Sequence, residues 1–135
     1  MSAEAPTVLV VEDDPETRQF YLTVLTDAGF HVDQAHNGLQ ALDKVLAGPP
    51  DLILTDIAVP GLDGIDLCRR LRADARTRAI PVLAITGYSD RQYDDRAINA
   101  GADRVLAKPC EPERLIDEVQ KLVSLAPVIT KSSDR

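Results

Sequence analysis

Five residues able to take part in polar chemistry stand at or just after the ends of short apolar runs in this chain. Two adjacent acids, Glu12 and Asp13, follow the first run, and Asp56 follows a later one. Thr86 and Lys108 stand in the same relation to two further runs and supply a hydroxyl and an ammonium group. Adjacent acids close to a third carboxylate would repel one another without a cation. These residue types therefore predict a metal-dependent acidic site.

The apolar runs themselves indicate β-strands that are covered on both faces. They show no polar alternation, which is typical of the strands of a parallel sheet. A weaker extended segment follows the first predicted helix. The predicted strands span residues 8–11, 31–35, 52–54, 82–85 and 105–107.

Segments with helical periodicity separate the runs. Asp14 followed by Pro15 predicts the start of the first helix. Gly29, Gly48 and Gly101 stand where the first, second and fourth helices are predicted to end. The predicted buried stripes are Phe20, Tyr21, Val24, Leu25 and Ala28; Leu39, Leu42, Val45 and Leu46; Ile65, Cys68 and Leu71; Tyr93, Ala97 and Ile98; and Leu115, Val119, Leu122, Val123 and Ala126.

Strand and helix patterns alternate five times along the chain, with connections long enough for parallel pairing. This alternation predicts an α/β fold, in which an open parallel sheet carries helices on both faces. The carboxyl ends of the strands of such a sheet lie along one edge, where ligands bind. The three acids, the threonine and the lysine are therefore expected to meet at that edge.

The composition excludes several classes of protein. The formal net charge is −7 and no long Lys/Arg cluster is present, so direct binding of nucleic acid is not expected. The two cysteines, Cys68 and Cys110, are too few for a disulfide framework and lack metal-ligand spacing. No signal peptide and no membrane-spanning run is found. These features predict a cytoplasmic domain without a membrane segment.

The 135 residues predict one domain. We expect a disordered N-terminus over residues 1–6, a folded domain over residues 7–126, and a short polar tail over residues 127–135 without an output domain. A start at Met1 and this tail slightly favour a complete single-domain protein.

Four segments together resemble the receiver domain of bacterial two-component response regulators. They are VVEDD at residues 10–14, LTDIAVPGLDG at residues 54–64, ITG at residues 85–87 and AKP at residues 107–109. The resemblance covers roughly residues 7–125, with the motifs in order at the predicted strand ends. It implies a flavodoxin-like (βα)5 three-layer sandwich with a five-stranded parallel sheet in the order 2-1-3-4-5.

The resemblance implies a phosphate-accepting role for Asp56 and a magnesium site beside it. Asp13 and Asp56 would bind Mg²⁺ together with the backbone carbonyl of Ala58, and Glu12 would assist through water or a hydrogen bond. Mn²⁺ is an alternative metal. Mg²⁺ favours a few carboxylates together with several waters.

The resemblance also implies how the phosphate is held and sensed. Lys108 would pair with a phosphate oxygen, and its peptide bond to Pro109 would be cis. Thr86 would donate a hydrogen bond to the phosphate and move inward, which biases helix four and the loop before it.

Two positions depart from the family pattern and are expected to modulate the switch. Val105 occupies the place, three residues before the lysine, where many receivers carry Tyr or Phe. Tyr88, two residues after Thr86, and Ala58, two after Asp56, flank the path of the hydrolytic water in relatives. We hypothesise that Tyr88 tunes the phosphate lifetime.

The implied partners are a histidine kinase or histidine phosphotransfer protein and a downstream protein target, with a homodimer through helix four, strand five and helix five as a possibility. The implied catalysis is the chain's own phosphorylation and slow autodephosphorylation, unlike a metabolic enzyme. Two alternatives remain open: an interaction module that needs no phosphate, and a receiver excised from a hybrid histidine kinase. A flavin-binding protein is disfavoured because the loop after the first strand is acidic.

Overall fold

The computed structural model describes residues 5–57, 63–87 and 91–133, with the backbone alone for residues 91–93 and 125–133. Strands and helices alternate along these residues, as the sequence predicts. Their bounds are β1 Thr7–Val11, α1 Pro15–Asp27, β2 His31–Ala35, α2 Gly38–Ala47, β3 Leu52–Asp56, α3 Gly64–Ala73, β4 Val82–Thr86, α4 Arg91–Ala100, β5 Arg104–Ala107 and α5 Pro112–Ser133.

The five strands form one parallel sheet in the order β2-β1-β3-β4-β5. This order confirms the fold that the resemblance implied. The register brings strand ends together across the sheet. Val11 lies opposite Thr55, Asp56 lies opposite Ile85, and Thr86 lies opposite Ala107.

Both faces of the sheet are buried, which explains the unbroken apolar runs. In β1, Val8 and Val10 face one cluster, which packs against α1 and α5. Leu9 and Val11 face the opposite cluster, beneath α2, α3 and α4. Alternate side chains of each inner strand thus fill two aliphatic layers, and polar groups are left to the strand ends.

The buried face of α2 agrees with the predicted stripe only in part. Leu39 and Leu46 are 55% and 41% exposed. Gly38, Ala41 and Val45 are the buried residues of this helix. Val45 belongs to both sets, and Leu42 is partly buried against the core cluster, so the prediction is wrong for Leu39 and Leu46.

Two further apolar residues lie outside the core. Phe20 on α1 is 40% exposed, whereas its neighbour Tyr21 is buried. Ile98 on α4 is 47% exposed, and Ala97 beside it is buried. The predicted stripes of these helices were therefore too wide by one residue each. Two other predicted stripe residues, Tyr93 and Ala126, have side chains outside the described part of the chain.

The helix ends follow the predicted signals. Asp14 caps α1 by accepting a hydrogen bond from the Thr17 backbone N–H at 2.9 Å. Gly29 and Gly101 have φ angles of 101° and 120°, in the left-handed region that glycine adopts without strain. At the other end of the chain, α5 continues to Ser133, so helix covers most of the predicted tail. No helix among the described residues is long and apolar enough to span a bilayer.

Arg72 ties the end of α3 to the segments that flank β4 and β5. Its guanidinium donates to the carbonyl oxygens of Gly101, Arg78 and Ile80 at 2.6–2.9 Å. It also pairs with the Asp103 carboxylate at 2.9 Å. One side chain therefore satisfies several acceptors at the edge of the sheet opposite the strand ends that carry the polar residues.

We expect Arg72→Met to lower the free energy of unfolding by about 2–4 kcal/mol, because several charge-assisted hydrogen bonds are lost at once. Arg70→Met is the matched control, since Arg70 is exposed on the same helix. Urea unfolding of both variants measures the difference. Equal stabilities would contradict the structural role of Arg72.

Candidate functional site

Four of the predicted site residues lie at the carboxyl edge of the sheet. Glu12 follows β1, Asp56 and Thr86 end β3 and β4, and Lys108 follows β5. Backbone hydrogen bonds continue the sheet at this edge: the Lys108 N–H donates to the Thr86 carbonyl at 2.8 Å, and the Glu12 N–H donates to the Ala35 carbonyl at 3.0 Å. These backbone hydrogen bonds thus fix the positions from which the side chains extend.

An ammonium group lies between two buried carboxylates at the centre of the site. The Nζ atom of Lys108 contacts Asp56 Oδ2 directly and lies 3.5 Å from Glu12 Oε1. Glu12 and Asp56 are only 2% and 7% exposed. Burial opposes the charge of Lys108, but hydrogen bonding to Asp56 and the charges of both acids raise the pKa of Lys108 overall.

Glu12 holds its proton more tightly than an ordinary carboxyl group. Burial, a side-chain hydrogen bond with Asp56 and the charge of Asp56 raise its pKa to about 7. The Asp14 backbone N–H, which donates to Glu12 Oε2 at 3.1 Å, and Lys108 act in the opposite direction. Glu12 is thus an inward, partly protonated acid near neutral pH.

Asp13 faces the other way from Glu12 and is exposed. Its backbone is held from α1, because the Arg18 Nη1 atom donates to the carbonyl oxygens of Glu12 and Asp13 at 2.9 and 3.5 Å. The Nε atom of Arg18 donates to Gln34 Oε1 at 2.9 Å. The sequence interpretation missed Arg18. The sequence signal for Arg18 is its position, one turn into the helix that follows the acidic residues.

Thr86 is 1% exposed at the end of β4, as its predicted position requires. Val105, opposite Ala84 in the sheet, is half-buried and packs against the cluster beneath α2, α3 and α4. The predicted residues Ala58 and Tyr88 lie outside the described residues. The Lys108–Pro109 peptide bond is cis, as the resemblance implied.

The oxygen donors at this edge suit a hard cation. Glu12 and Asp56 offer buried carboxylate oxygens, and Asp13 offers an exposed one. Within the described residues no three acidic, His or Cys side chains are grouped so that they could hold a metal ion by themselves. A site with few carboxylates and room for water fits Mg²⁺, which keeps several waters when bound.

A groove of about 490 Å³ opens beside Lys108, between α1 and the segment after β5. Phe20 and Tyr21 line it from α1, and Pro109 and Cys110 line it from the other side. Its polar rim includes Asp14, Glu16, Thr17 and Lys108. The groove is thus partly apolar and reaches the site at Lys108.

An open parallel sheet in the order β2-β1-β3-β4-β5 defines a flavodoxin-like α/β protein, a class in which ligands bind at the carboxyl edge of the sheet. The family model of the response regulator receiver domain matches residues 8–120, and the chain belongs to that family. Phosphorylation-dependent switching in two-component signalling is the function of this family.

Relatives of known sequence and structure agree with this assignment. The DNA-binding dual master transcriptional regulator RpaA of Synechocystis sp. is 36% identical over 118 residues, which cover 87% of this chain and 49% of RpaA. The signal receiver domain of a signal transduction histidine kinase from Syntrophus aciditrophicus has a TM-score of 0.84 at 34% identity, with 89% of this chain and 91% of that chain covered. The chain spans about half the length of the curated relatives it matches.

A third relative was solved with a metal. The receiver domain of the sensor histidine kinase PA1611 from Pseudomonas aeruginosa PAO1 has a magnesium ion coordinated in its active site cleft. It has a TM-score of 0.83 at 28% identity, and the match covers 89% of this chain and 98% of that one.

Glu12 should make the metal-free protein less stable as the pH rises from about 4.5 to about 7. Its pKa is raised from 4.5 to about 7 by folding, so in this interval the folded state keeps a proton that the unfolded chain has released. The free energy of unfolding therefore falls with rising pH, and Glu12→Gln should remove this part of the slope.

Urea unfolding in EDTA at a series of pH values measures this slope. Glu16→Gln, which removes an exposed carboxylate from the first turn of α1, is the control for a change in net charge. A Glu12→Gln protein with the wild-type slope would show that Glu12 is not the group responsible.

Proposed function

We propose that this chain is a phosphoacceptor switch in which Asp56 receives a phosphoryl group from a phosphohistidine of a histidine kinase or histidine phosphotransfer protein. The observation that carries the proposal is the contact between the Lys108 ammonium and the buried carboxylate of Asp56 at the carboxyl edge of the sheet. A buried acid held by a cation is oriented, and it has a charge partner ready for an incoming anion.

In the transfer step an Asp56 carboxylate oxygen attacks phosphorus. The new O–P bond forms as the N–P bond of the donor breaks, and the electron pair of that bond returns to the imidazole nitrogen. The product is an acyl phosphate on Asp56 and a histidine without phosphate. Lys108 transfers its contact from the carboxylate to a phosphate oxygen, since both lie within reach of the same ammonium group.

The proposed metal site consists of Asp13 and Asp56, with the backbone carbonyl of Ala58 and with Glu12 acting through water or a hydrogen bond. Mg²⁺, when bound, neutralises charge on the transferred phosphoryl oxygens. Mn²⁺ is proposed as a substitute because it takes the same oxygen ligands. Arg18 supports the arrangement by holding the backbone of the acidic loop.

Readout is proposed to begin at Thr86, which donates a hydrogen bond to the phosphate and so acts on the start of α4. A Tyr or Phe at the position of Val105 would supply an aromatic side chain that moves with Thr86. Valine has no such ring. The surface formed by α4, β5 and α5 is the proposed binding face for a downstream protein or a second copy of the chain. On it Glu118, which is 3% exposed, pairs with Arg104 and Arg114.

The proposed surroundings are cytoplasmic, without direct contact to nucleic acid. The net charge of −7 supports the second point, since affinity for nucleic acid rests on neutralising phosphates. RpaA is a DNA-binding protein, but the chain spans about half of it. Two structural relatives are receivers of histidine kinases, which supports the alternative that this chain is the receiver of a hybrid kinase.

An interaction module that needs no phosphate is the second candidate, and Val105 is the observation that favours it. Titration with beryllofluoride, a mimic of the acyl phosphate, in the presence of Mg²⁺ separates the two functions. A change in the amide spectrum of the chain that needs both reagents supports the switch. A spectrum that stays unchanged supports the interaction module.

Asp56→Asn should abolish phosphate transfer from the histidine kinases of the source organism, because an amide cannot act as the nucleophile. Asp43→Asn is the matched control, since Asp43 is an exposed aspartate on α2. Transfer of labelled phosphate from each autophosphorylated kinase is followed over time. Transfer that survives in the Asp56→Asn protein would overturn the proposed function.

Tyr88→Ala should shorten the lifetime of the phosphorylated state by up to about tenfold, the factor that corresponds to one ordinary hydrogen bond. The reason is that Tyr88 is proposed to protect the acyl phosphate, either by shielding it from water or by hydrogen bonding. Loss of label from the purified phosphoprotein gives the rate constant. Ile98→Ala, an exposed position on α4, serves as the control, and equal lifetimes in all three proteins would refute the role of Tyr88.

A further inference from the structure

The backbone carbonyl of Asp56 is held by a side chain from its own strand. The hydroxyl of Thr55 donates to the Asp56 carbonyl oxygen at 2.9 Å. Thr55 is fully buried, so this bond does not compete with water. A buried hydroxyl in a strand ordinarily packs against its neighbours and hydrogen-bonds to a nearby backbone group. Here the hydroxyl of Thr55 donates to the carbonyl of Asp56, the proposed nucleophile.

Gly64, the first residue of α3, packs against the same Asp56 carbonyl. A Cβ atom added to Gly64 would stand 2.6 Å from the Asp56 carbonyl oxygen and 2.8 Å from the Cα atom of Ile57. Both neighbours are backbone atoms, which cannot rotate aside as a side chain can. Among the described glycines, Gly29 and Gly101 are those with left-handed φ angles, so Gly64 is required for space and not for its conformation.

The segment that carries Gly64 is itself fixed. The Gly64 N–H donates to the Ile57 carbonyl at 2.8 Å, which joins the end of β3 to the start of α3. Asp63 caps α3 by accepting from the Asp66 N–H at 2.9 Å. On the other side the Ile57 N–H donates to the Ile85 carbonyl at 3.0 Å. The peptide that follows Asp56 therefore lies between β4 and the start of α3.

We propose that Thr55 and Gly64 are positioning residues that fix the main chain of Asp56 and thereby aim its carboxylate at Lys108 and the donor. The inference rests on the proposed function of Asp56. One methylene group separates the carboxylate from this restrained backbone, so a shift of the peptide is passed on to the attacking oxygen. In-line transfer depends on such placement, and a displacement of about 1 Å can cost about a hundredfold in rate.

Two pairs of variants test the inference. Thr55→Val removes the hydroxyl and keeps the shape, whereas Thr55→Ser keeps the hydroxyl. Gly64→Ala introduces the clashing Cβ, whereas Gly48→Ala adds the same atom at a glycine with nothing within 4 Å of it. Each protein is phosphorylated by acetyl phosphate with Mg²⁺, which gives the maximal rate constant and the half-saturating donor concentration. Urea unfolding is measured alongside.

We expect Thr55→Val to lower the maximal rate constant about three- to tenfold, with the half-saturating donor concentration nearly unchanged, and Thr55→Ser to restore it to within about twofold. Gly64→Ala should lower the rate constant by about ten- to a hundredfold, and Gly48→Ala should leave it at the wild-type value. If Gly64→Ala does not fold, the Thr55 pair decides.

Folded variants that lose stability but react at the wild-type rate would overturn the inference, because Thr55 and Gly64 would then be structural residues alone. Failure of Thr55→Ser to restore the rate that Thr55→Val loses would also overturn it. A wild-type chain that gains no phosphate from acetyl phosphate or any kinase would overturn the proposed function, and this inference with it. Wild-type phosphorylation with equal rates in all variants would overturn the inference alone.

Discussion

Two carboxylates, Glu12 and Asp56, are buried side by side at the carboxyl edge of an aliphatic sheet, and the Lys108 ammonium is the cation that contacts both. Removing a carboxylate from water is costly unless the charge is paired or neutralised. This chain uses both solutions. Lys108 pairs with Asp56, and burial together with Asp56 raises the pKa of Glu12 to about 7. The acidic site depends on this local balance, and anything that draws Lys108 away from Asp56 alters it.

The fold makes that balance possible because the inner strands leave polar side chains to their carboxyl ends. Each inner strand buries alternate residues in two separate aliphatic layers, so charge is admitted where a strand ends. The parallel register brings those ends together, and the bond from the Lys108 N–H to the Thr86 carbonyl ties two of them directly. Residues 12 and 108, which are 96 positions apart in the sequence, thus meet in one site.

Much of this was accessible from the sequence because strand ends are marked by a change from apolar to polar residues. That change identified Glu12, Asp56, Thr86 and Lys108, and it gave the element order. The structure then separated Glu12, which points inward, from Asp13, which is exposed. Adjacent residues of equal charge carry no signal of which one faces the core, because the turn after the strand decides their direction.

Other features could not be predicted because they depend on how closely elements approach each other. Leu39 and Leu46 have the spacing of a buried stripe, yet α2 packs through smaller residues. The role of Gly64 depends on its distance from a carbonyl eight residues earlier, which no local pattern reports. Periodicity specifies directions around a helix, whereas contact distances come from the assembled layers.

The same restraints limit how a signal can leave the site. The backbones at Thr86 and Lys108 are joined across the sheet, and Val105 is packed against the core cluster beside α4. The joined backbones leave the side chains of Thr86 and Lys108 as the groups at this edge that can change position. A valine has no ring to swing between a buried and an exposed position. In the proposed switch the signal therefore passes from Thr86 to α4, because Val105 on the neighbouring strand supplies no aromatic side chain to carry it.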